Sequence, residues 1–186
     1  MATIYSKSRL AASDSASTFV AIDFETADHG PDSACAVGFV LVSGTKLIER
    51  RYHLIRPPRC SFFFTPVHGI TWEHVRGQPT FKELWPTIRN VFLGADFIAS
   101  HHSRFDRRIL ESCCRAAKIE APVVPDVCTM KLAREVWDIH PTSLPNVARY
   151  LGLQMSHHDA LSDAEACAGI VLAARRLGLS TSGVWR

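Results

Sequence analysis

The 186-residue chain lacks most features that would mark a secreted, membrane or strongly basic protein. Its six cysteines form no Cys-x-x-Cys pair and follow no signal peptide, so we expect reduced thiols and a cytoplasmic location. No apolar run approaches the length of a transmembrane helix, which argues against a membrane span. The formal net charge is only +3, so no overall basic field indicates nucleic acid.

The residues that are present predict one globular domain. Hydrophobic residues make up 47% of the chain, which suffices for a sizeable core in a protein of this length. We divide the chain into a flexible leader over 1–17, rich in Ser and Ala, a domain over 18–180 and a short tail over 181–186. The oligomeric state is left open.

Hydrophobic periodicity predicts three strands followed by helices that alternate with short strands. Three antiparallel strands followed by such an alternation indicate an α/β domain with a mixed sheet. The predicted strands span 18–26, 34–42, 46–55, 97–100 and 123–124. The predicted helices span 80–92, where Thr80 to Glu83 is a capping box, and 105–117, 129–137, 143–150 and 161–177.

Two carboxylates at the end of the first predicted strand are the most informative feature. Asp23 and Glu25 are two residues apart, so on a strand their side chains point to the same face. Burying unpaired carboxylates is costly unless they are paired or hold a metal. Hard oxygen ligands suit Mg²⁺ or Mn²⁺. The alternative is a solvated pair at a fraying strand end.

Two further acids fall at predicted helix starts. Asp106 follows the strand over 97–100, and Asp163 lies in the first turn of the last helix, five residues after His158. Ligands in open α/β sheets gather at the carboxyl ends of strands, which would bring these acids towards Asp23. Taken alone, Asp106 is better explained as a residue that stabilises a helix N-terminus, and the same explanation applies to Asp163.

Taken in order, these motifs resemble the DEDDh group of 3′–5′ exonucleases, which includes the epsilon subunit of bacterial DNA polymerase III, RNase T and oligoribonuclease. The pattern is Asp-x-Glu on a first strand, Phe-Asp at a helix start, and His-x-Ala-x-x-Asp-Ala at a later helix start. The segments His68-Gly69-Ile70-Thr71 and 128–134 also match the group. The resemblance covers about residues 19–177.

The resemblance implies an RNase H-like fold, a mixed sheet of three antiparallel strands plus parallel strands flanked by helices. It implies a 3′–5′ exonuclease with two Mg²⁺ or Mn²⁺ ions, acting on nucleic acid with a free 3′ end. The implied metal ligands, which are also catalytic, are Asp23, Glu25, Asp106 and Asp163. His158 is implied as general base, with His157 a flanking loop residue. The implied substrate-binding residues are Thr26, His68, Gly69, Ile70, Phe105 and His102.

The implied chemistry suits this set of side chains. Two divalent ions can activate water and stabilise the leaving oxygen of a phosphodiester, and a histidine near its ordinary pKa can deprotonate water at neutral pH. We expect nearby arginines to attract the polyanion, with Arg104, Arg107 and Arg108 as candidates. For at least one of Arg107 and Arg108, a place on an exposed helix face is the better explanation.

The chain departs from the group in two respects. His102 stands where the group commonly has Asn, which puts a polar contact to substrate in question. The sequence shows no evident tail for binding a polymerase or a sliding clamp. DNA and RNA are not distinguished, because no element clearly contacts a 2′-hydroxyl.

Two alternatives belong to other functional classes. One is a zinc protein built on His101-His102 and His157-His158, although zinc favours tetrahedral N and S ligands and adjacent histidines rarely point at one ion. The other is a catalytically silent nucleic-acid-binding module on an exonuclease fold. All five motif positions are filled, which favours the enzyme.

Overall fold

The computed structural model describes residues 17–179. The predicted leader, apart from Ser17, and the predicted tail lie outside these residues. Within them, five strands form one sheet in the order β3-β2-β1-β4-β5. The strands are β1 (Thr18–Thr26), β2 (Ala34–Ser43), β3 (Lys46–Leu54), β4 (Phe97–Ser100) and β5 (Asp126–Cys128). β1 pairs antiparallel with β2, and β2 with β3, whereas β4 lies parallel to β1 and β5 parallel to β4.

Seven α-helices connect or cover the strands within the described residues. They are α1 (Thr65–His68), α2 (Trp72–Val75), α3 (Phe81–Ile88), α4 (Ser103–Ala117), α5 (Thr129–Trp137), α6 (Leu144–Leu151) and α7 (Ala160–Arg176). A 3₁₀ turn over Arg89–Phe92 extends α3. The predicted capping box is present, because the Thr80 hydroxyl accepts from the Glu83 N–H and the Glu83 carboxylate accepts from the Thr80 N–H.

Alternation along β1 determines which face each of its side chains occupies. Phe19 and Ala21 pack into the core cluster that contains residues of α5, α6 and α7, whereas Val20 and Ile22 pack into the cluster formed with α3 and α4. Side chains two residues apart share a face. At the carboxyl end of β1, the side chain of Asp23 is therefore on the face that packs against α7.

Several predicted boundaries were wrong. The last strand is not 123–124 but Asp126–Cys128, and Val123 is fully exposed in the preceding loop. A three-residue strand leaves too short a pattern to locate from sequence, and its pairing with β4 fixes the register. α4 begins at Ser103 instead of Phe105. The short helices α1 and α2 were not predicted.

Two predictions from composition can be compared with the structure. All six cysteines lie in the described range and are unpaired. None of the helices in that range combines the length and the apolarity that crossing a bilayer would require.

Candidate active site

The carboxyl ends of β1 and β4 meet at one edge of the sheet because the two strands are parallel. The register between β1 and β2 shifts at Glu25 and Thr26, where a bulge or irregularity interrupts regular pairing. Bulges of this kind occur next to active sites, where they redirect side chains. The sheet therefore presents the end of β1 beside the loop that leads into α4.

Three carboxylates converge at this edge. Asp23, Glu25 and Asp163 each place an oxygen within 4.8 Å of the oxygens of the other two. Asp163 reaches β1 because α7 begins directly against the sheet at Gly38, the residue paired with Asp23. A Cβ at Gly38 would lie 2.2 Å from the Ala160 carbonyl oxygen, so only glycine permits this approach.

The environment of these carboxylates disfavours their charge. Burial, followed by repulsion from neighbouring acids, raises the pKa of Glu25 to about 8 and that of Asp23 well above its usual range. Burial also raises the pKa of Asp163. The Asp163 Oδ1 atom is buried without a hydrogen-bond partner among the described residues. A divalent cation would supply that partner and relieve the repulsion, so the donor set fits a hard metal ion.

Asp106 lies behind this cluster and does not line the cleft. It is 2% exposed, and its Oδ1 atom accepts a hydrogen bond of 3.1 Å from the Phe24 N–H. Burial raises its pKa to about 7, against the lowering effect of that bond and of one from Ser100. The structure thus brings Asp106 close enough to raise the pKa values of Asp23 and Glu25 by its charge, with one oxygen already bonded to the backbone.

Both neighbouring histidines stand beside Asp163. His157 Nδ1 donates to Asp163 Oδ2 at 3.0 Å, and the His158 backbone N–H donates to the same oxygen at 3.1 Å. The two rings stack with centroids 3.7 Å apart. Burial and the His157 ring lower the pKa of His158, which favours a neutral imidazole. His157 therefore contacts the site more closely than a flanking loop residue would.

His68 fixes the segment after α1 to the end of β1. Its Nε2–H donates to the Thr26 carbonyl at 3.1 Å, and its Nδ1 accepts from the Ile70 N–H at 3.0 Å. Burial lowers the His68 pKa, in keeping with a neutral ring that both donates and accepts. Gly69 follows with a φ of 74°, and Ile70 is buried in a small apolar cluster.

A cleft of about 510 Å³ opens over the cluster. Of the proposed substrate-binding residues, Thr26, His68 and Phe105 line it, and Phe105 is 43% exposed. Gly69, Ile70 and His102 do not. Its other lining residues include Asp23, Glu25, Asp163, His157, His158, Phe64, Val67, His101, Met130, Thr142, Ser143, Leu144 and Pro145.

His102 occupies a position selected by backbone conformation. It precedes α4 with φ 69° and ψ 54°, in the left-handed region, and its side chain is exposed. Asn, Asp and His are the non-glycine residues enriched in that region. Both His102 and the Asn that the group commonly has at this position can therefore adopt the left-handed backbone conformation.

His101 was not among the predicted site residues. Its Nδ1 accepts from the Thr129 hydroxyl and its Nε2–H donates to the Thr142 carbonyl, both at 3.0 Å. Burial lowers its pKa to about 4, so the ring is neutral. Both ring nitrogens of His101 are hydrogen-bonded, so neither is available to ligate zinc. Of the four histidines on which a zinc site could be built, His101 is therefore excluded. Its sequence signal was only adjacency to the Phe-Asp motif.

Comparison with known proteins agrees with this geometry. A family model described as exonuclease, of RNase T type, matches residues 20–171. Exodeoxyribonuclease 10 of Escherichia coli K12 is 30% identical over 138 residues, which are 68% of this chain and 55% of that protein. DNA polymerase III subunit epsilon of Haemophilus influenzae is 28% identical over 169 residues, which are 82% of this chain and 65% of that protein.

A solved structure of exonuclease X in complex with 5′-overhanging duplex DNA has the same fold. Its TM-score is 0.70 at 25% identity, over 88% of this chain and 95% of that chain. The chain spans little more than half the length of the first of the curated relatives it matches. The family match covers most of the chain. The mixed sheet described above is of the RNase H-like kind. The chain therefore belongs to the RNase T exonuclease family, the DEDDh group that its motifs resemble.

Proposed function

We propose that this chain is a metal-dependent 3′–5′ exonuclease that releases nucleoside 5′-monophosphates from nucleic acid with a free 3′ end. The observation that carries the proposal is the convergence of Asp23, Glu25 and Asp163 around an unpartnered buried oxygen, beneath an open cleft. Such a cluster is unfavourable unless protons or cations neutralise it.

The residues of the cluster would hold two Mg²⁺ or Mn²⁺ ions, with Asp106 as the fourth acid. Bound divalent cations would activate the attacking water and stabilise the leaving oxygen. Asp163 Oδ2 already accepts from His157 and from the His158 backbone, so its Oδ1 is the atom left for a cation. Asp106 Oδ1 is bonded to Phe24, which leaves its other oxygen to contribute.

His158 is the proposed general base. Its lowered pKa keeps the imidazole neutral at pH 7, so its free nitrogen can accept the proton of the attacking water. His157 stacks on the ring and bonds Asp163, which restricts where that ring can lie. The left-handed backbone at His158, with φ 65°, turns the loop between the two rings.

The walls of the cleft provide a place for the terminal nucleotide. The half-exposed Phe105 ring offers a stacking surface, which requires an unpaired base. Thr26 and His68 also line the cleft, and the His68 ring is held to the Thr26 carbonyl by a hydrogen bond. We propose single-stranded DNA as the preferred substrate. The stacking surface of Phe105 favours an unpaired end, and the relatives favour DNA, because the Escherichia coli relative is an exodeoxyribonuclease and the exonuclease X structure contains a DNA duplex with a 5′ overhang. RNA is the second candidate.

A digestion series tests this proposal. Labelled single-stranded DNA, duplex DNA and short RNA are incubated with Mg²⁺ or Mn²⁺, with the Asp163→Ala variant as the inactive control. We expect loss of activity in EDTA, its return with either cation, and the fastest release from single-stranded DNA. Binding without cleavage under all conditions would instead support the catalytically silent module.

A further inference from the structure

A second cleft, of about 1030 Å³, lies along α4, and its lining includes residues next in sequence to a lining residue of the active-site cleft. Its first lining residues, Ser103 and Arg104, directly precede Phe105, which lines the active-site cleft. The α4 groove, as we name this second cleft, is bounded on one side by α4 and on the other by the loop over 119–126. A strand whose 3′ end lay over Asp23 could therefore continue into it.

Arg104 and Arg115 line the α4 groove, and two further cations, Arg108 and Lys118, lie on the same helix and at its cap without lining the groove. Arg104, Arg108 and Arg115 follow the helical repeat, so they fall within about 40° of arc and span about 17 Å of the axis. Lys118 follows at the C-terminal cap. All four side chains are exposed, and among the described residues none of them has an ion-pair or hydrogen-bond partner.

One of the three acidic residues that line the α4 groove, Asp126, is neutralised by Arg107. Arg107 donates three hydrogen bonds to Asp126, from Nε at 3.1 and 2.8 Å and from Nη2 at 2.7 Å, and lies 4.0 Å from Glu111. It also donates to the carbonyls of Pro122 and Val124, so its charge and its donors are used within the protein. Glu111 and Glu120 remain opposite the four unpaired cations, which leaves a local excess of two positive charges.

The opposite wall of the α4 groove is apolar. Ile119, Ala121, Pro122, Val124 and Pro125 line it, and Val123 is fully exposed at its edge. Cations on one side and apolar surface on the other match a nucleic-acid strand, whose phosphates and bases lie on opposite sides. Grooves for single strands combine a basic track with a surface for the bases, usually aromatic rings; here that surface is aliphatic, so it offers apolar contact without ring stacking.

We propose that the α4 groove holds the part of the substrate strand that precedes the scissile 3′ end, with Arg104, Arg108, Arg115 and Lys118 along its phosphates. The inference rests on the proposed function. The arginine span corresponds to at most about five nucleotides, at the 3.4 Å rise of one stacked strand, and to fewer of an extended strand. Strands shorter than this lose contacts at Arg115 and Lys118, so the groove makes the enzyme prefer longer strands.

Salt-dependent binding tests the proposal. Binding of a labelled single strand of about 20 nucleotides is measured by fluorescence anisotropy in EDTA, so that neither metal nor turnover contributes. The variant is Arg104→Gln with Arg115→Gln, and the control, Arg89→Gln with Arg176→Gln, removes the same charge from exposed arginines outside the groove. Circular dichroism verifies that each variant is folded.

Each phosphate contact on a single strand contributes about 0.7 to the slope of log affinity against log salt. The slope of the groove variant should therefore be smaller in magnitude by about 1.4. Raising the salt from about 50 to 200 mM should weaken the binding of the variant by a factor roughly sevenfold smaller than the factor for the unmodified chain. Arg104→Lys with Arg115→Lys should keep the slope, and the control should keep most of it. The preference in kcat/KM for long over short strands should also shrink in the groove variant.

Equal slopes for the groove variant and the unmodified chain would overturn the proposal, as would an equal loss in the control. The experiments distinguish a failure of the groove proposal from a failure of the proposed exonuclease function. An unmodified chain that binds with an arginine-dependent slope but cleaves nothing would overturn the exonuclease assignment and leave the groove standing. An active chain with an unchanged slope would overturn the groove alone.

Discussion

At the scale of single residues, the site is defined by acids whose charge the fold does not neutralise. The pKa values of Asp23, Glu25, Asp106 and Asp163 are all raised, and burial is the first cause in each. Asp28 shows the contrast, because hydrogen bonds from Arg59 lower the pKa of its carboxyl. The protein pairs that acid and leaves the site acids for cations or protons.

We predict that the metal-free protein becomes less stable as pH rises from about 5 to 8.5. The pKa of Glu25 is raised from 4.5 to about 8 and that of Asp106 from 3.8 to about 7, so the folded state binds more protons than the unfolded state in this range. Stability from these groups is full below their unfolded values and is lost as pH rises through 7 to 8. The melting temperature should fall by about 5 to 10 °C, measured by differential scanning fluorimetry in EDTA.

Added Mn²⁺ should raise the melting temperature more at pH 8 than at pH 6, because cations then replace fewer protons. The Glu25→Gln variant should show a flatter pH dependence without metal. A melting temperature that rises with pH in the metal-free chain would contradict the buried-acid account.

We also predict different roles for the two histidines. His158→Ala should lower kcat by about 10²- to 10⁴-fold, the usual contribution of a positioned general base, and should remove the acidic limb of the pH–rate profile. That limb should lie below the ordinary histidine pKa in the unmodified chain, because the pKa of His158 is lowered. His157→Ala should cost less and should keep the limb, since His157 acts on Asp163 and the His158 ring. The reverse pattern would shift the base assignment to His157.

At the scale of secondary-structure elements, the start of α7 decides whether the site forms. Asp159 caps the helix by accepting from the Ser162 N–H at 2.8 Å, which places Asp163 in the first turn. Gly38 on β2 lets that turn lie directly on the sheet beside Asp23. Sequence motifs identified Asp163, but Gly38 carried no such signal, because the close approach is visible only once strand and helix are packed.

Gly38→Ala tests this packing. The added methyl group would meet the backbone of Ala160 and Leu161, so α7 must shift and move Asp163 away from Asp23. We expect a loss of roughly 1 to 3 kcal/mol in the free energy of unfolding and about 10²-fold in kcat, as expected for a displacement near 1 Å. Gly77→Ala is the matched control, because a Cβ there meets nothing within 4 Å. Equal activity for the two variants would contradict the packing argument.

Element predictions succeeded where a pattern was long or capped. β1 was predicted with its observed bounds, and the capping box at Thr80 marked the start of α3. Failures fell on short elements such as β5, whose position depends on pairing with β4. Val123 and Val124 suggested a strand by composition, yet Val123 is fully exposed at the edge of the α4 groove.

At the scale of the whole molecule, motifs far apart in sequence meet at one sheet edge. The parallel pairing of β1 with β4 brings the loop before α4 to Asp23. The last helix, α7, packs on β1 and β2. The order and spacing of the motifs resemble those of the exonuclease group, and this resemblance predicted that the acids would meet in one site. The motifs could not predict that Asp106 lies behind the cluster, that His157 bonds Asp163, or that His101 is fully bonded, because these depend on side-chain packing.

The central claim is that divalent cations at this cluster support hydrolysis from a free 3′ end. The most direct test is one reaction with Mg²⁺ that contains a 5′-labelled linear single strand and a closed circular single strand. We expect a descending ladder from the linear strand, an intact circle, and no products in EDTA or with Asp23→Ala. Cleavage of the circle, or full activity in excess chelator, would contradict it.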